Sequence, residues 1–399
     1  MIMNVLYITK TSPLSPGGGG EKRAREVTAG LASRGYDVTI LCGKTDRDLE
    51  QTSEFNCCDV RHVSCVPSFL FRYPTLSFYA TRYLFAITSL PILVGLLIRG
   101  EFDVIIENMT PYPSLSVGPA NIADIPIIAV QHEFYDRSCY RTYDPMTATI
   151  QLAVQNILRV CRYSAVIVPT SHVKKQLASY GVKSARISVI PNGIDSERYQ
   201  LSDIGEGNSE LVTIGRLSKR KGHSDVLKAF AQVQADHPDA TLNVIGDGPA
   251  RERLERLAKS LSIREKITFH GFVSEGDKVE ILNRANVFIF ASKQEGFGLV
   301  LLEAMAAGLP VVARHLPVYE DFFSTPKNGY LVHEPVVSNL AESATGLLEN
   351  TDERAAIERR NRNGAAGFDW ERTVRETASI LNSVERTAAP TNEESEVRS

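Results

Sequence analysis

The apolar run Val287-Phe288-Ile289-Phe290-Ala291, with the turn and helix on its C-terminal side, most restricts what this chain can become. Five consecutive apolar residues read as a strand buried on both faces, the signature of a parallel sheet. A turn around Gly296 and Gly298 then opens a helix that carries Glu303 in its early turns. A helix start after a buried strand leaves backbone N–H groups without intrahelical partners, and its dipole favours anions, so phosphate fits there. Glu295 in the turn and Glu303 on the helix have seven residues between them. A loop carboxylate can meet sugar hydroxyls, while a helical one can accept both hydroxyls of a ribose. Together these parts describe a cradle for a sugar nucleotide.

With 399 residues the chain is long enough for two domains at roughly 100–200 residues each. Its 43% hydrophobic and 23% charged content is that of an ordinary soluble globular protein. The net charge of −3 divides unevenly. Residues 1–195 hold 19 Lys and Arg against 16 Asp and Glu, giving +3, and the remainder holds 25 against 31, giving −6. The basic half suits an anionic acceptor or a membrane surface, and ordinary scatter of surface charge accounts for it equally well. No Lys/Arg block is interleaved with aromatic residues, which argues against a nucleic-acid partner. The six cysteines, Cys42, Cys57, Cys58, Cys65, Cys139 and Cys161, form neither a C-x-x-C pair nor a zinc-spaced group. They read as incidental thiols of a reducing compartment, and the N-terminus lacks the layout of a signal peptide.

Alternation of apolar strands with helices runs through both halves. In the first, strands are expected at residues 4–9, 38–42, 104–107, 126–130, 165–168 and 187–190, with a helix over about 21–33. Segment 43–82 is the least readable part. After Pro191-Asn192-Gly193-Ile194-Asp195 and the polar linker at 202–209, a second series begins, with strands at 211–215, 242–246, 267–269, 287–291 and 311–313. Amphipathic helices at 224–236 and 249–261 separate some of them. The pattern predicts an α/β fold of two doubly wound parallel sheets, with ligands at the C-terminal ends of the strands in a cleft between the halves. Residues 83–98 are apolar but broken by Pro91 and Gly95, and fall short of the ~20 needed to span a bilayer. They read as a core helix packed on the sheet. The alternative is a helix dipping into a membrane face beside Arg72, Arg82 and Arg99. The Glu-rich end, 386–399, reads as a disordered tail.

Taken in order, the motifs resemble the family-4 retaining glycosyltransferases, which have the GT-B architecture of two facing Rossmann-like domains. The Glu295 and Glu303 pair within EGFGLVLLEAMAAGLPVV carries most of the likeness. Gly215-Arg216-Leu217, Lys221-Gly222, Gly17 to Glu21, Ile190 to Asp195, Gly246-Asp247-Gly248-Pro249 and Asn328 to Val332 add to it. The resemblance implies an acceptor-side domain over 1–198 and a nucleotide-sugar domain over 199–368. A helix over 369–385 would cross back onto the first domain.

The roles implied by the resemblance can be set beside plainer readings. Arg216 and Lys221 would be the cations that stabilise a departing diphosphate, where two solvated surface cations are the plain reading. Charge-assisted bonds of this kind contribute ~1.5–3 kcal/mol each. Glu295 would contact the donor sugar and Glu303 the ribose, against a solvated loop carboxylate and a buried one paired with a cation. The amides of Phe297, Gly298 and Leu299 would hold phosphate oxygens. His132, directly after a strand in Val130-Gln131-His132-Glu133, would bond a donor hydroxyl, although a lone His is more often structural. Gly19 and Gly20 would let backbone approach the donor phosphate and acceptor, against a merely flexible loop. Gly215, Gly246 and Asp247 would lie near the nucleotide, and Phe272 near the base. Asn108-Met109-Thr110 matches a glycosylation sequon and reads as chance.

The family's small glycine-containing loop before a Pro-Glu pair is replaced here by Arg314-His315-Leu316-Pro317-Val318-Tyr319-Glu320, which leaves the donor sugar open. No Asp-x-Asp metal signature stands in a suitable loop, so the expectation is a metal-independent enzyme without a cofactor. It would move a sugar from a nucleotide-diphosphate donor to a glycan, glycolipid or lipid-linked acceptor, in the cytoplasm or at its membrane face. A non-catalytic sugar-nucleotide scaffold and an epimerase of the same architecture are the competing readings.

Overall fold

A computed structural model describes residues 2–14, 18–44, 57–65, 84–109, 115–143, 145–199 and 209–388. Gly17, Arg72, Arg82, Tyr83, Thr110, linker residues 202–208 and tail residues 389–399 lie outside the described residues. The chain divides into two compact units, one of Met1–Gly193 with Trp370–Ser399 and one of Ile194–Asp369.

The first unit is built on seven strands: β1 (Asn4–Thr9), β2 (Asp37–Gly43), β3 (Asp59–Val63), β4 (Val104–Met109), β5 (Ile127–Gln131), β6 (Ala165–Val168) and β7 (Ile187–Val189). They lie in the order β3-β2-β1-β4-β5-β6-β7, and every pairing is parallel. All six residues of β4 and all five of β5 are buried, as expected for central strands covered on both faces. On one face, Tyr7, Ile106 and Val130 join Ala24, Val27 and Leu31 of the helix Gly19–Ser33. Val374, Ala378 and Leu381 of the helix Trp370–Ala388 complete that core. The last helix thus belongs to the first unit, and it runs on to Ala388, past the start of the stretch expected from sequence to be a tail.

Residues 84–98 are helical except at Ser89, with Phe85, Leu93, Leu96 and Leu97 buried and Ile87, Ile92 and Ile98 exposed. The segment is therefore half core and half surface. Among the described residues no helix is long and apolar enough to cross a membrane.

Six strands form the second unit: β8 (Glu210–Ile214), β9 (Thr241–Ile245), β10 (Ile267–Gly271), β11 (Val287–Phe290), β12 (Val311–Arg314) and β13 (Gly329–Val332). Their order is β10-β9-β8-β11-β12-β13, again all parallel. Leu211, Leu242, Val287 and Ile289 pack against Val226, Phe230 and Val233 of the helix His223–Asp236. In each sheet the chain leaves a central strand in one direction and later returns to its other side. The loops after β1 and β4, and after β8 and β11, therefore diverge and open a crevice at the strand ends.

Candidate active site

At the crevice of the second unit, the loop after β8 carries Gly215, Arg216, Leu217 and Lys221, and the loop after β11 carries Glu295. Lys221 Nζ lies 2.6 Å from Glu295 Oε1, with the side chains 15% and 10% exposed. The ammonium also stands 5.6 Å from the ring centre of Phe290. Backbone ties hold the two loops together: Lys293 N donates to Arg220 O at 2.9 Å, and Arg220 Nη1 to Gln294 O at 3.3 Å. Gly222 makes the approach possible, because a Cβ there would meet the Ala291 carbonyl oxygen at 2.0 Å. Its φ of 69° also favours glycine. Burial works to raise the Glu295 carboxyl, but Lys221 and Arg220 outweigh it and hold the group below the usual carboxylate range. Arg216 projects from the same loop and is exposed.

Glu303 has a different neighbourhood. It lies on the helix Leu299–Ala306 and is 3% exposed, with Oε1 3.0 Å from Lys278 Nζ. Lys278 also bonds Glu275 at 2.9 Å. Burial acts to lower the Lys278 ammonium, and the two carboxylates overcome this and raise it. The buried Tyr199 hydroxyl is pushed up by burial and then by Glu303 and Glu275. The helix begins at Gly298, whose φ is 96° and whose missing Cβ makes room for the Tyr319 ring. The amides of Phe297, Gly298 and Leu299 donate to no described group. The Phe297 ring itself packs on Phe322, 5.1 Å between centres.

The remaining sequence-derived positions of this unit line the same edge of the sheet. Gly246 N donates to Gly271 O at 2.8 Å, and Leu217 N to Asp247 O at 3.0 Å, which stitches the turns after β8, β9 and β10 together. Asp247 Oδ1 accepts from Gly248 N at 2.7 Å and so caps its own turn. Phe272 is 69% exposed just beyond β10. No sequence pattern singles out His223, although it directly succeeds Lys221-Gly222. It is buried beside Gly215, neither ring nitrogen has a described partner, and burial followed by Lys221 pushes its pKa down to about 3.

In the first unit, His132 comes directly after β5 and its Nε2 lies 2.5 Å from Asn108 Oδ1 at the end of β4. Asn108 Nδ2 in turn donates to Thr9 Oγ1 of β1 at 3.3 Å. Burial, then the charges of Arg23 and Lys10, push the His132 pKa down to about 3, so the ring is neutral near pH 7. Arg23 is buried, donating to Ile190 O at 2.9 Å and Asn192 Oδ1 at 2.8 Å. Gly19 and Gly20 are the first residues of the helix Gly19–Ser33, whose capping residue Gly18 donates its N–H to Glu21 at 3.0 Å. Among the described residues, no three His, Cys, Asp or Glu side chains gather as a metal-binding group.

Two doubly wound parallel sheets, of seven and six strands, each with charged and polar side chains at its strand ends, define the GT-B class of α/β proteins. The sequence model described as "Glycosyltransferase Family 4" matches residues 17–198, and that described as "Glycosyl transferases group 1" matches 199–364. The phosphatidyl-myo-inositol mannosyltransferase of Propionibacterium freudenreichii is 30% identical over 68% of this chain and 68% of its own length. This chain belongs to glycosyltransferase family 4. The alpha-monoglucosyldiacylglycerol synthase of Streptococcus pneumoniae is 26% identical over 77% of the chain and 70% of that protein. The glycogen synthase of Mycobacterium tuberculosis is 30% identical over 52% of the chain, which spans about half (51%) of that protein's length. Among solved structures, sucrose-phosphate synthase of Thermosynechococcus elongatus superposes with a TM-score of 0.81 at 20% identity, covering 96% of this chain and all (100%) of that one. The Anabaena HepE protein in complex with UDP and glucose gives 0.75 at 20% identity, with 96% and 100% coverage.

Proposed function

We propose that this enzyme transfers a hexose-type sugar, with retention and without a metal ion, from a nucleoside-diphosphate sugar to a hydroxyl of a glycan, glycolipid or lipid-linked saccharide. The observation that carries the reading is Lys221 within 2.6 Å of Glu295 at the switch point of the second sheet, with Arg216 exposed in the same loop. A leaving diphosphate gains charge as the glycosidic bond breaks, and preorganised cations stabilise it more than they stabilise the intact donor. Arg216 and Lys221 supply those cations. The amides of Phe297, Gly298 and Leu299, which donate to no described group, receive phosphate oxygens at a helix start. Glu295 meets the sugar. Glu303 reaches the ribose by sharing or giving up Lys278, since its Oε1 is committed to that ammonium without ligand.

The acceptor reading draws on relatives whose names specify lipid acceptors, a diacylglycerol and a phosphatidylinositol. It also draws on the exposed Ile87, Ile92 and Ile98, which suit shallow contact with a cytoplasmic membrane face. The competing readings differ in outcome: a scaffold would bind the sugar nucleotide without turnover, and an epimerase would turn it over without an acceptor.

Calorimetric titration with UDP-, GDP- and ADP-sugars in the presence of a chelator tests the donor half. One nucleotide class should bind, and Arg216→Ala should lower turnover far more than it lowers affinity or stability. No binding by any of the three would count against the whole reading. Cosedimentation with anionic vesicles at low and high salt tests the membrane half, and absence from the pellet in both would end it.

A further inference from the structure

His132 is held through one ring nitrogen only. Its Nε2 meets Asn108 Oδ1 at 2.5 Å, and no described group bonds its Nδ1. Asn108 is 3% exposed, and its Nδ2 donates to Thr9 Oγ1 at 3.3 Å, Thr9 being 2% exposed, while Oδ1 faces the imidazole. An amide oxygen can only accept, so the proton of a neutral imidazole facing it must sit on Nε2. A neutral imidazole has one N–H, which leaves Nδ1 with a bare lone pair.

We propose that Asn108 is a positioning residue that fixes His132 as the Nε2–H tautomer, so that Nδ1 is left to accept a hydrogen bond from a sugar hydroxyl at the strand ends of the first sheet. The proposal rests on the sugar-transfer reading for its ligand, but not for its tautomer. The charged groups around the ring agree with it. Lys10, after β1, and Arg23, on the helix Gly19–Ser33, both oppose a second proton, and burial opposes it further. The carboxylates next in sequence to Asn108 and His132 bond tyrosines: Glu107 of β4 accepts from the Tyr163 hydroxyl at 2.7 Å, and Glu133 from that of Tyr135 at 3.4 Å. A ring that stays unprotonated to about pH 3 is a poor base toward an alcohol. It therefore orients the hydroxyl and does not remove its proton. A reversed Asn108 amide would place the proton on Nδ1 and turn the ring into a donor, and this opposite outcome is what the experiment separates.

The test uses the full chain with 15N-labelled imidazoles, His132 being assigned from a His132→Gln spectrum. The expected wild-type pattern is Nε2–H with no titration between about pH 5 and pH 8. Asn108→Asp, nearly isosteric, puts a carboxylate on Nε2 and should raise the His132 midpoint by about one pH unit or more. Asn108→Ala should lower turnover about tenfold, and by less than about twofold in a His132→Ala background, because the two residues act as one. An Nδ1–H pattern, a wild-type His132 that titrates near the ordinary histidine value, or additive losses in the double variant would overturn the proposal. The tautomer is read without turnover, so failure of sugar transfer and failure of this inference are distinguishable.

Discussion

In the second unit the two candidate site carboxylates each bond a lysine, Glu295 with Lys221 and Glu303 with Lys278. In the first unit the buried cations Lys10 and Arg23 stand around an imidazole that carries no charge. The same kind of sheet thus supports two different electrostatic designs. Internal pairs keep charge in place until a ligand with diphosphate and hydroxyl groups competes for the partners. Cations set around a titratable ring instead hold it in its neutral form, where it can sort hydroxyls by hydrogen-bond direction. Under the proposed sugar-transfer reading, the departing charge falls to the second unit and the neutral hydroxyls to the first.

The sharpest way to break this comparison is Lys221→Met. If Lys221 receives developing charge, turnover should fall by about 10²–10³-fold, the scale of removing one preorganised partner of a transition-state anion. Melting measured in parallel separates this from lost structure, because Glu295 keeps Arg220 as a neighbour. A Lys221→Met enzyme that keeps most of its turnover would mean that the pair is only structural.

Glu303→Gln asks whether the second pair is held together for the fold. Lys278 is only 10% exposed and would keep just Glu275, which is 50% exposed. Removing one partner of such a pair should cost about 3 kcal/mol, read as a lower urea midpoint. Lys278→Met with Glu303→Leu should restore most of that stability, because matched apolar groups replace a desolvated pair. If the double variant also keeps wild-type donor affinity, Glu303 is not the ribose ligand.

Much of the fold is legible without the structure. The strands expected from apolar runs coincide with observed ones to within a residue or two at each end, because strands covered on both faces are apolar throughout. The two strands without such a signal, β3 and β13, both lie at sheet edges. Asp59–Val63 is mostly polar, and Gly329–Val332 stands out only as part of a motif. An edge strand has one neighbour and no need of a continuous apolar run. The apolar segment at 83–98 shows the converse, since apolarity alone does not distinguish a covered face from an exposed one. At the site, residue types and loops can be named from pattern, but partners cannot. Lys278 meets Glu303 across 25 positions, and Asn108 meets His132 across 24, distances over which sequence carries no periodic signal. Asn108 therefore registers in the sequence only as part of a glycosylation triplet.

The smallest of the three effects concerns the neutral imidazole that occurs in both units. His223 has its pKa pushed from 6.5 to about 3 by burial and then by Lys221. The folded protein therefore leaves the ring neutral while the unfolded chain protonates it. Stability contributed by a neutral folded His is intact above the unfolded value, declines as pH falls below it, and goes on declining until the folded value is reached. Between about pH 7 and about pH 5 the loss should be about 2 kcal/mol for this one group. Glu295 adds nothing over that range, because its lowered carboxyl titrates below the ordinary carboxylate value in the folded state and near it in the unfolded state. A His223→Leu protein should therefore lose stability less steeply than wild type over the same interval, the difference emerging in urea midpoints taken at each pH. Parallel wild-type and His223→Leu curves would mean that the folded ring is protonated beside Lys221. The second unit would then hold a charged imidazole next to a lysine at its crevice, and a neutral ring set among cations would be a feature of the first unit alone.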